Sequence, residues 1–216
     1  MTHIIPDPAS ESGDLSSLQI EDFWDRHGKS VVIAVVIVIL AALGAVGVMI
    51  YQHNQEVAAS TIFAEAKNEA QLQEVITKYP DSASAVDAAL MLASVQRTAG
   101  KYDAATATLE ALLKRSPDSR LAGLASLGLA SNYAAAGQGQ KYLEALQQTA
   151  TKYNNSFVAP YALLGQAEYF MAQGKNSDAI PVLRSLTEQY PESIFSRPAG
   201  GYLERLDSVS DTDTKN

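Results

Sequence analysis

The sequence predicts an all-α chain, with one N-terminal transmembrane helix followed by an α-solenoid of helical hairpins at a 37-residue period. Three observations carry this. Val31–Ile50 reads VVIAVVIVILAALGAVGVMI, twenty residues without a charge, an amide or a proline. At ~1.5 Å per residue such a helix spans ~30 Å, the thickness of a bilayer's hydrocarbon core. Beyond it a stop signal recurs every 37 residues: Tyr79-Pro80-Asp81-Ser82, Ser116-Pro117-Asp118-Ser119, Tyr153-Asn154-Asn155-Ser156 and Tyr190-Pro191-Glu192-Ser193. Gly100, Gly137 and Gly174, then Ala93, Ala130 and Ala167, then Leu109, Leu146 and Leu183 keep the same step. Independent markers at one period are the signature of a repeat architecture.

From the N-terminus, residues 1–19 contain Pro6, Pro8, Gly13 and several Ser and Asp, and lack a periodic apolar face. They are expected to form a disordered cytoplasmic tail. Ile20, Phe23, Trp24 and His27 follow at i, i+3, i+4, i+7 spacing, which suggests a short interfacial helix over 20–28 ended by Gly28, with a flexible lead-in as the alternative. Phe23 and Trp24 before the span and Tyr51 after it suit the membrane interface, where amphipathic rings concentrate. The span itself covers 31–50. A buried core helix is the competing reading, but core helices are seldom apolar on every face for this length. A cleavable signal has a short basic start and an apolar run of about 7–15 residues. Here the lead is thirty residues and acidic, so an uncleaved anchor is expected. Arg26 and Lys29 precede the span, and Lys67 is the only basic residue in the twenty after it. The positive-inside rule then puts the N-terminus in the cytoplasm and the larger part outside.

Gln55–Lys78 has no Gly or Pro, and Ala58, Ile62, Phe63, Ala66, Leu72, Val75 and Ile76 give a largely helical pattern, so 55–80 is expected as a lead-in helix. The anchor either continues into it or breaks near His53–Asn54. Repeats then occupy 82–193, as about 82–117, 119–154 and 156–191. In the first, Ser82 or Asp81 caps a helix running to about Thr98, Gly100 makes the turn, and a second helix runs from about Tyr102 to Lys114. Small Ala93 and Ala105 let the two helices approach closely. One hairpin cannot bury its apolar face alone, whereas stacked hairpins can. Residues 194–209 read as a closing helix with Tyr202, Leu203 and Leu206 inward, and 210–216 as a disordered tail.

These residues resemble the tetratricopeptide repeat (TPR) family. Leu92-Ala93, Gly100, Ala105, Leu109 and Pro117 occupy the signature places in the first unit, Leu129-Ala130, Gly137, Tyr142, Leu146 and Asn154 in the second, and Gln166-Ala167, Gly174, Ala179, Leu183 and Pro191 in the third. Tyr142, Asn154 and Gln166 depart from the pattern, and the period exceeds the usual ~34 residues. The acidic start, the Phe23-Trp24 pair, the single span and three degenerate repeats together resemble the YfgM-like ancillary subunit of the SecYEG translocon, an inner-membrane family with a periplasmic TPR domain. Periplasmic repeat proteins of envelope assembly share the repeat texture but lack such a span. The TPR resemblance implies a concave groove lined by the first helix of each unit. Its positions here are Asp87, Leu90, Ser94 and Arg97, then Leu124, Leu127, Ser131 and Ala134, then Tyr161, Leu164, Glu168 and Met171. This set is apolar in the middle with sparse charge, suited to an apolar or amphipathic segment. The alternative for each residue is packing between repeats.

Composition narrows the chemistry. The net charge is −8, of which residues 1–30 carry −4 through Asp7, Glu11, Asp14, Glu21, Asp22 and Asp25 against Arg26 and Lys29. An acidic domain without basic runs argues against a nucleic-acid partner. With no cysteine there is no disulfide, thiolate metal site or cysteine nucleophile. The three histidines, His3, His27 and His53, all precede the repeats, which rules out a His-based triad or multi-His metal site there. No phosphate-loop or dinucleotide fingerprint occurs, and Gly137-Gln138-Gly139 holds the phase of a helix–helix turn. No catalytic, cofactor or metal residue is therefore assigned. The expected function is a non-enzymatic, membrane-tethered scaffold, contacting lipid through Val31–Ile50. Its expected partners are proteins, such as translocon subunits, periplasmic chaperones or emerging and unfolded polypeptides. A structural bridge in an envelope or cell-division assembly is the alternative. Ala41 and Ala45 form a small-xxx-small pair that favours self-association of spans into a homo-oligomer.

Overall fold

The computed structural model describes residues 11–213, with side chains described within residues 27–208. Among the described residues every regular element is helical. The chain divides after Gln55 into two units. The first helix, α1 (Glu11–Glu65), runs from one into the other without interruption. It passes through Gly28 and through His53–Asn54, so neither expected break occurs there. Glycine is tolerated inside a helix at ~1 kcal/mol, and nothing else at Gly28 stops the ladder. Residues 11–19, expected as disordered tail, are helical too, while residues 1–10 and 214–216 lie outside the described residues. Its most apolar 18-residue window has a mean hydropathy of 3.2 and none of it is buried. That exposure removes the core-helix reading, because a core helix would be covered by neighbours.

In the second unit the lead-in is two helices rather than one. α1 ends at Glu65 and α2 (Glu69–Lys78) begins after Asn68, whose side chain accepts from the Gln71 N–H. Gln71 returns a bond by accepting from the Lys67 N–H at 2.7 Å. This is a variant of the capping box in which the returned bond lands on the residue before the cap rather than on the cap itself.

Three hairpins follow: α3 (Ala83–Thr98) with α4 (Tyr102–Arg115), α5 (Ala122–Ala135) with α6 (Gly139–Lys152), and α7 (Val158–Ala172) with α8 (Asn176–Gln189). α9 (Ser196–Asp213) closes the stack. Gly100, Gly137 and Gly174 turn each hairpin at φ of 74°, 71° and 70°. The N–H of the next residue reaches back to Gln96, Tyr133 and Phe170 respectively, at 2.8, 2.8 and 2.9 Å. This left-handed C-terminal cap is open to glycine because it has no Cβ.

From α2 to α9 consecutive helices pack in series, and the first helices also pack on one another, α3 on α5 and α5 on α7. The core is a chain of small clusters: Leu72, Val75 and Leu92 with Ala59; Ala93, Ala105, Leu109 and Leu112; Ala130, Leu146 and Ala162; and Ala167, Ala179, Leu183 and Leu186 with Ala199. Repeat-to-repeat burial of this kind gives a solenoid its nearest-neighbour stability. The two departures within this core are visible. Tyr142 places its hydroxyl over Gly165, where a Cβ would stand 3.1 Å from that oxygen. Gln166, in the place of Leu92 and Leu129, is buried with its Nε2 unpartnered.

Candidate partner-binding surface

Because the first helices touch one another, they form a continuous layer, and their outward residues are the candidate surface. Beyond Ala83 at its start, the exposed residues of α3 are Asp87, Met91, Ser94, Val95 and Thr98. Their i, i+4, i+7, i+8 spacing makes one helical face. Met91 is 47% exposed and Val95 38%. Of the positions the resemblance implies on α3, Asp87 and Ser94 fall on this face, and the other two are Leu90 and Arg97. Both are half-buried, and Leu90 packs against the cluster around Val86, Ala89 and Leu109. Met91 and Val95 are the exposed apolar residues of this face and lie outside the transferred positions. Apolar residues at i+4 and i+8 from Asp87 were the available signal.

On α5, Leu124 is exposed, Leu127 is half-buried against Ala130 and Leu146, and Ala134 is exposed. The Ser131 hydroxyl, half-buried, donates to the Leu127 carbonyl at 3.0 Å. On α7, Tyr161 stays exposed but meets the Phe195 ring edge-to-face at 5.4 Å. Leu164 is buried in the cluster with Leu183, Leu186 and Ala199, and half-buried Met171 packs on the same cluster. Leu164 thus belongs to the core and does not line a groove. Glu168 is exposed and accepts from the Tyr202 hydroxyl at 3.3 Å, while the Arg205 guanidinium stands 4.7 Å from the Tyr202 ring centre. So α9 engages the third unit's candidate residues, and α3 and α5 keep the more open face. Of the membrane-interface residues, Tyr51 is exposed, and Phe23 and Trp24 lie outside the residues whose side chains are described.

The electrostatics of this layer are quiet. Burial pushes the Tyr142 phenol above its ordinary range, and Tyr161 and Glu168 add to the shift. Burial also raises Tyr133, helped by Glu110, whose carboxylate is 3.4 Å away. Both phenols are therefore neutral donors at physiological pH. Among the described residues no group of three or more His, Asp or Glu is placed to hold a metal ion. Partly exposed aliphatic and aromatic side chains with isolated polar neighbours can accept an apolar or amphipathic segment.

Known proteins agree with this architecture. Two crystal structures of nearly identical TPR-like repeats from Podosopora anserina, described as kinesin light chain, superpose with TM-scores of 0.50 and 0.51. They cover 76% of this chain and 88% of theirs at 16% and 15% identity, a likeness of fold alone. The ancillary SecYEG translocon subunit of Neisseria gonorrhoeae (strain ATCC 700825 / FA 1090) is 36% identical over 102 residues, which are 41% of this chain and 47% of that protein. The chain thus spans about half the length of this curated relative. Residues 21–185 match the tetratricopeptide repeat-like domain family, and since that stretch is about three quarters of the sequence, the chain belongs to this family.

Proposed function

We propose that this chain is a non-enzymatic scaffold tethered to the bacterial inner membrane, whose repeats bind partner proteins or emerging, unfolded polypeptides beside a translocon. One observation carries the reading: a single chain joins a fully exposed apolar helix segment to a repeat layer whose first helices expose Met91, Val95, Leu124 and Tyr161. The helix fits lipid, and the layer fits an apolar or amphipathic segment. Tethering raises the local concentration of the repeats near the membrane, so weak contacts suffice. The family and the Neisseria relative's description support a scaffold role over a catalytic one. In this reading Arg26 and Lys29 hold the N-terminus in the cytoplasm and the repeats face the periplasm.

Photocrosslinking amino acids at Met91, Leu124 and Tyr161 of the full chain test the binding surface in vivo. A ladder of captured species is the expected result. One stoichiometric product would favour structural bridging, and capture of no protein would overturn both readings. Orientation is checked by single cysteines at Ser12 and Ser210, which the cysteine-free sequence makes unambiguous. An impermeant thiol reagent that crosses only the outer membrane should label 210 and spare 12. Labelling of 210 only after lysis would place the repeats in the cytoplasm.

A further inference from the structure

Outside the apolar run of α1, the two most exposed large apolar side chains among the described residues are Phe157, at 73%, and Ile194, at 82%. Isolated exposed hydrophobics need no explanation. These two are not placed independently. Each follows the serine of a repeat turn, one 37-residue step apart, with Ala83 and Arg120 at the equivalent places. Phe157 is the cap of α7, and Ile194 lies in the turn before α9. The Tyr161–Phe195 contact near the starts of α7 and α9 and the Glu168–Tyr202 bond further along set these helices side by side in one direction. Both apolar side chains therefore stand on one edge of the stack.

The same edge gathers cations. Arg120 and Lys152 line a cleft of about 540 Å³ with Ser119, Ser156 and Gly123. Lys152 also stands over the Tyr153 ring at 5.3 Å. Arg197, in the first turn of α9, is exposed, as are Arg115 and Arg120. Asp81, Asp118 and Glu192 share these turns, so the cations concentrate around Arg115, Arg120, Lys152 and Arg197. Exposed apolar side chains among Lys and Arg are the composition of a surface that sits in a bilayer interface: the apolar groups enter the headgroup layer and the cations meet phosphates.

The chain also bounds how far this edge lies from lipid. Glu56 accepts from the Ala83 and Ser84 N–H groups at 2.7 and 3.2 Å, which fixes it at the start of α3, on the edge where the repeat turns lie. Glu56 is six residues past Ile50. Even fully extended, six residues reach no more than about 21 Å. A membrane holding Val31–Ile50 is thus tethered close to the α3 end of this edge, at the high effective concentration a short tether gives.

We propose that the repeat-turn edge of the second unit docks on an anionic lipid surface, with Phe157 and Ile194 in the interfacial layer and Arg120, Lys152 and Arg197 against the phosphates. This surface adjoins the first-helix layer proposed to receive protein partners, since Phe157 stands one turn before Tyr161 on α7. It rests on insertion of the apolar run, not on the identity of any partner.

The full chain, reconstituted in vesicles containing phosphatidylglycerol and recovered by flotation, gives the test. Flotation reports insertion separately from docking. A nitrobenzoxadiazole label is placed on Asn155→Cys beside Phe157, or on Gln140→Cys at the first residues of α6, and headgroup-proximal doxyl lipid is the quencher. Quenching is expected to be severalfold greater at 155 than at 140. It should fall to the level of 140 in the Phe157→Ser/Ile194→Ser variant, and weaken in Arg120→Glu/Lys152→Glu or in phosphatidylcholine alone. All four replaced side chains are exposed, so these variants keep the fold. Equal quenching at the two labels overturns the proposal, as does quenching at 155 that ignores both variants. Photocrosslinking from Met91 and Leu124 should proceed unchanged in the Phe157→Ser/Ile194→Ser chain.

Discussion

At the scale of single residues, the third repeat holds a polar group the fold does not use. Gln166 is 5% exposed and its Nε2 has no partner, at a place where the other two repeats have leucine. An unpaired buried donor costs about 1–3 kcal/mol, so Gln166→Leu, which removes that donor with a shorter apolar side chain, should raise the urea midpoint by the equivalent of about 1 kcal/mol. A neighbouring residue gives the opposite sign. A Cβ at Gly165 would stand 3.0 Å from Leu146 Cδ1 and 3.1 Å from the Tyr142 hydroxyl. Gly165→Leu should then destabilise by about 2 kcal/mol, the usual scale of overpacking. Adding Tyr142→Ala should recover part of that loss, which a double-mutant cycle would measure as coupling. The departure at Tyr142 was plain in the sequence. Its accommodation by a glycine in the next helix was not, because the two residues meet only through the stacking of α6 on α7.

At the scale of elements, the helices of the hairpins were largely readable, and those around the apolar run were not. Gly100, Gly137 and Gly174 each force a turn, because each takes a positive φ that other residues resist. The expected end at Gly28 had no such support, and the helix continues. The split at Ala66–Asn68 hinged on a side-chain exchange between Lys67, Asn68 and Gln71 that apolar periodicity does not register. Nor could any local pattern announce Glu56. Its carboxylate accepts from the Ala83 and Ser84 N–H groups and from the Ser84 hydroxyl at 2.6 Å, which completes the cap begun by Ser82 on Ala85. Burial raises the Glu56 pKa, but the bonds from the Ser84 side chain and the two backbone groups outweigh it and leave the carboxyl below its ordinary value. A carboxylate depressed on folding adds stability above its unfolded pKa, and that stability is lost as pH falls through the folded value. Wild type and Glu56→Gln should therefore differ most at neutral pH, by about 1 kcal/mol as for other lost caps, and converge in acid below the ordinary carboxylate range. Amide exchange at Ala83 and Ser84 should report the same loss locally.

At the scale of the whole second unit, stability is carried from neighbour to neighbour, so damage should spread by distance along the stack. α9 covers Leu164, Leu183 and Leu186 through Ala199, Tyr202 and Leu206. Removing residues 196–216 should accelerate hydrogen exchange strongly in α7 and α8, modestly in α6, and little in α3. Equal acceleration in every helix would indicate a single cooperative core instead. Between adjacent turns the Tyr153 hydroxyl donates to the Pro117 carbonyl at 3.4 Å, and the Tyr190 hydroxyl donates to the Asn154 carbonyl at 2.8 Å. The third and fourth turns are thereby each latched to the one before by the same kind of bond at equivalent positions, whereas Ser116 takes the tyrosine's place in the second turn. That has a genetic consequence. Recombination between the DNA encoding two such turns would delete or duplicate thirty-seven codons, keep the reading frame, and leave every latch facing an acceptor of the same kind. The length of the stack is thus open to change in whole hairpins while the helices that flank it, α2 and α9, stay as they are.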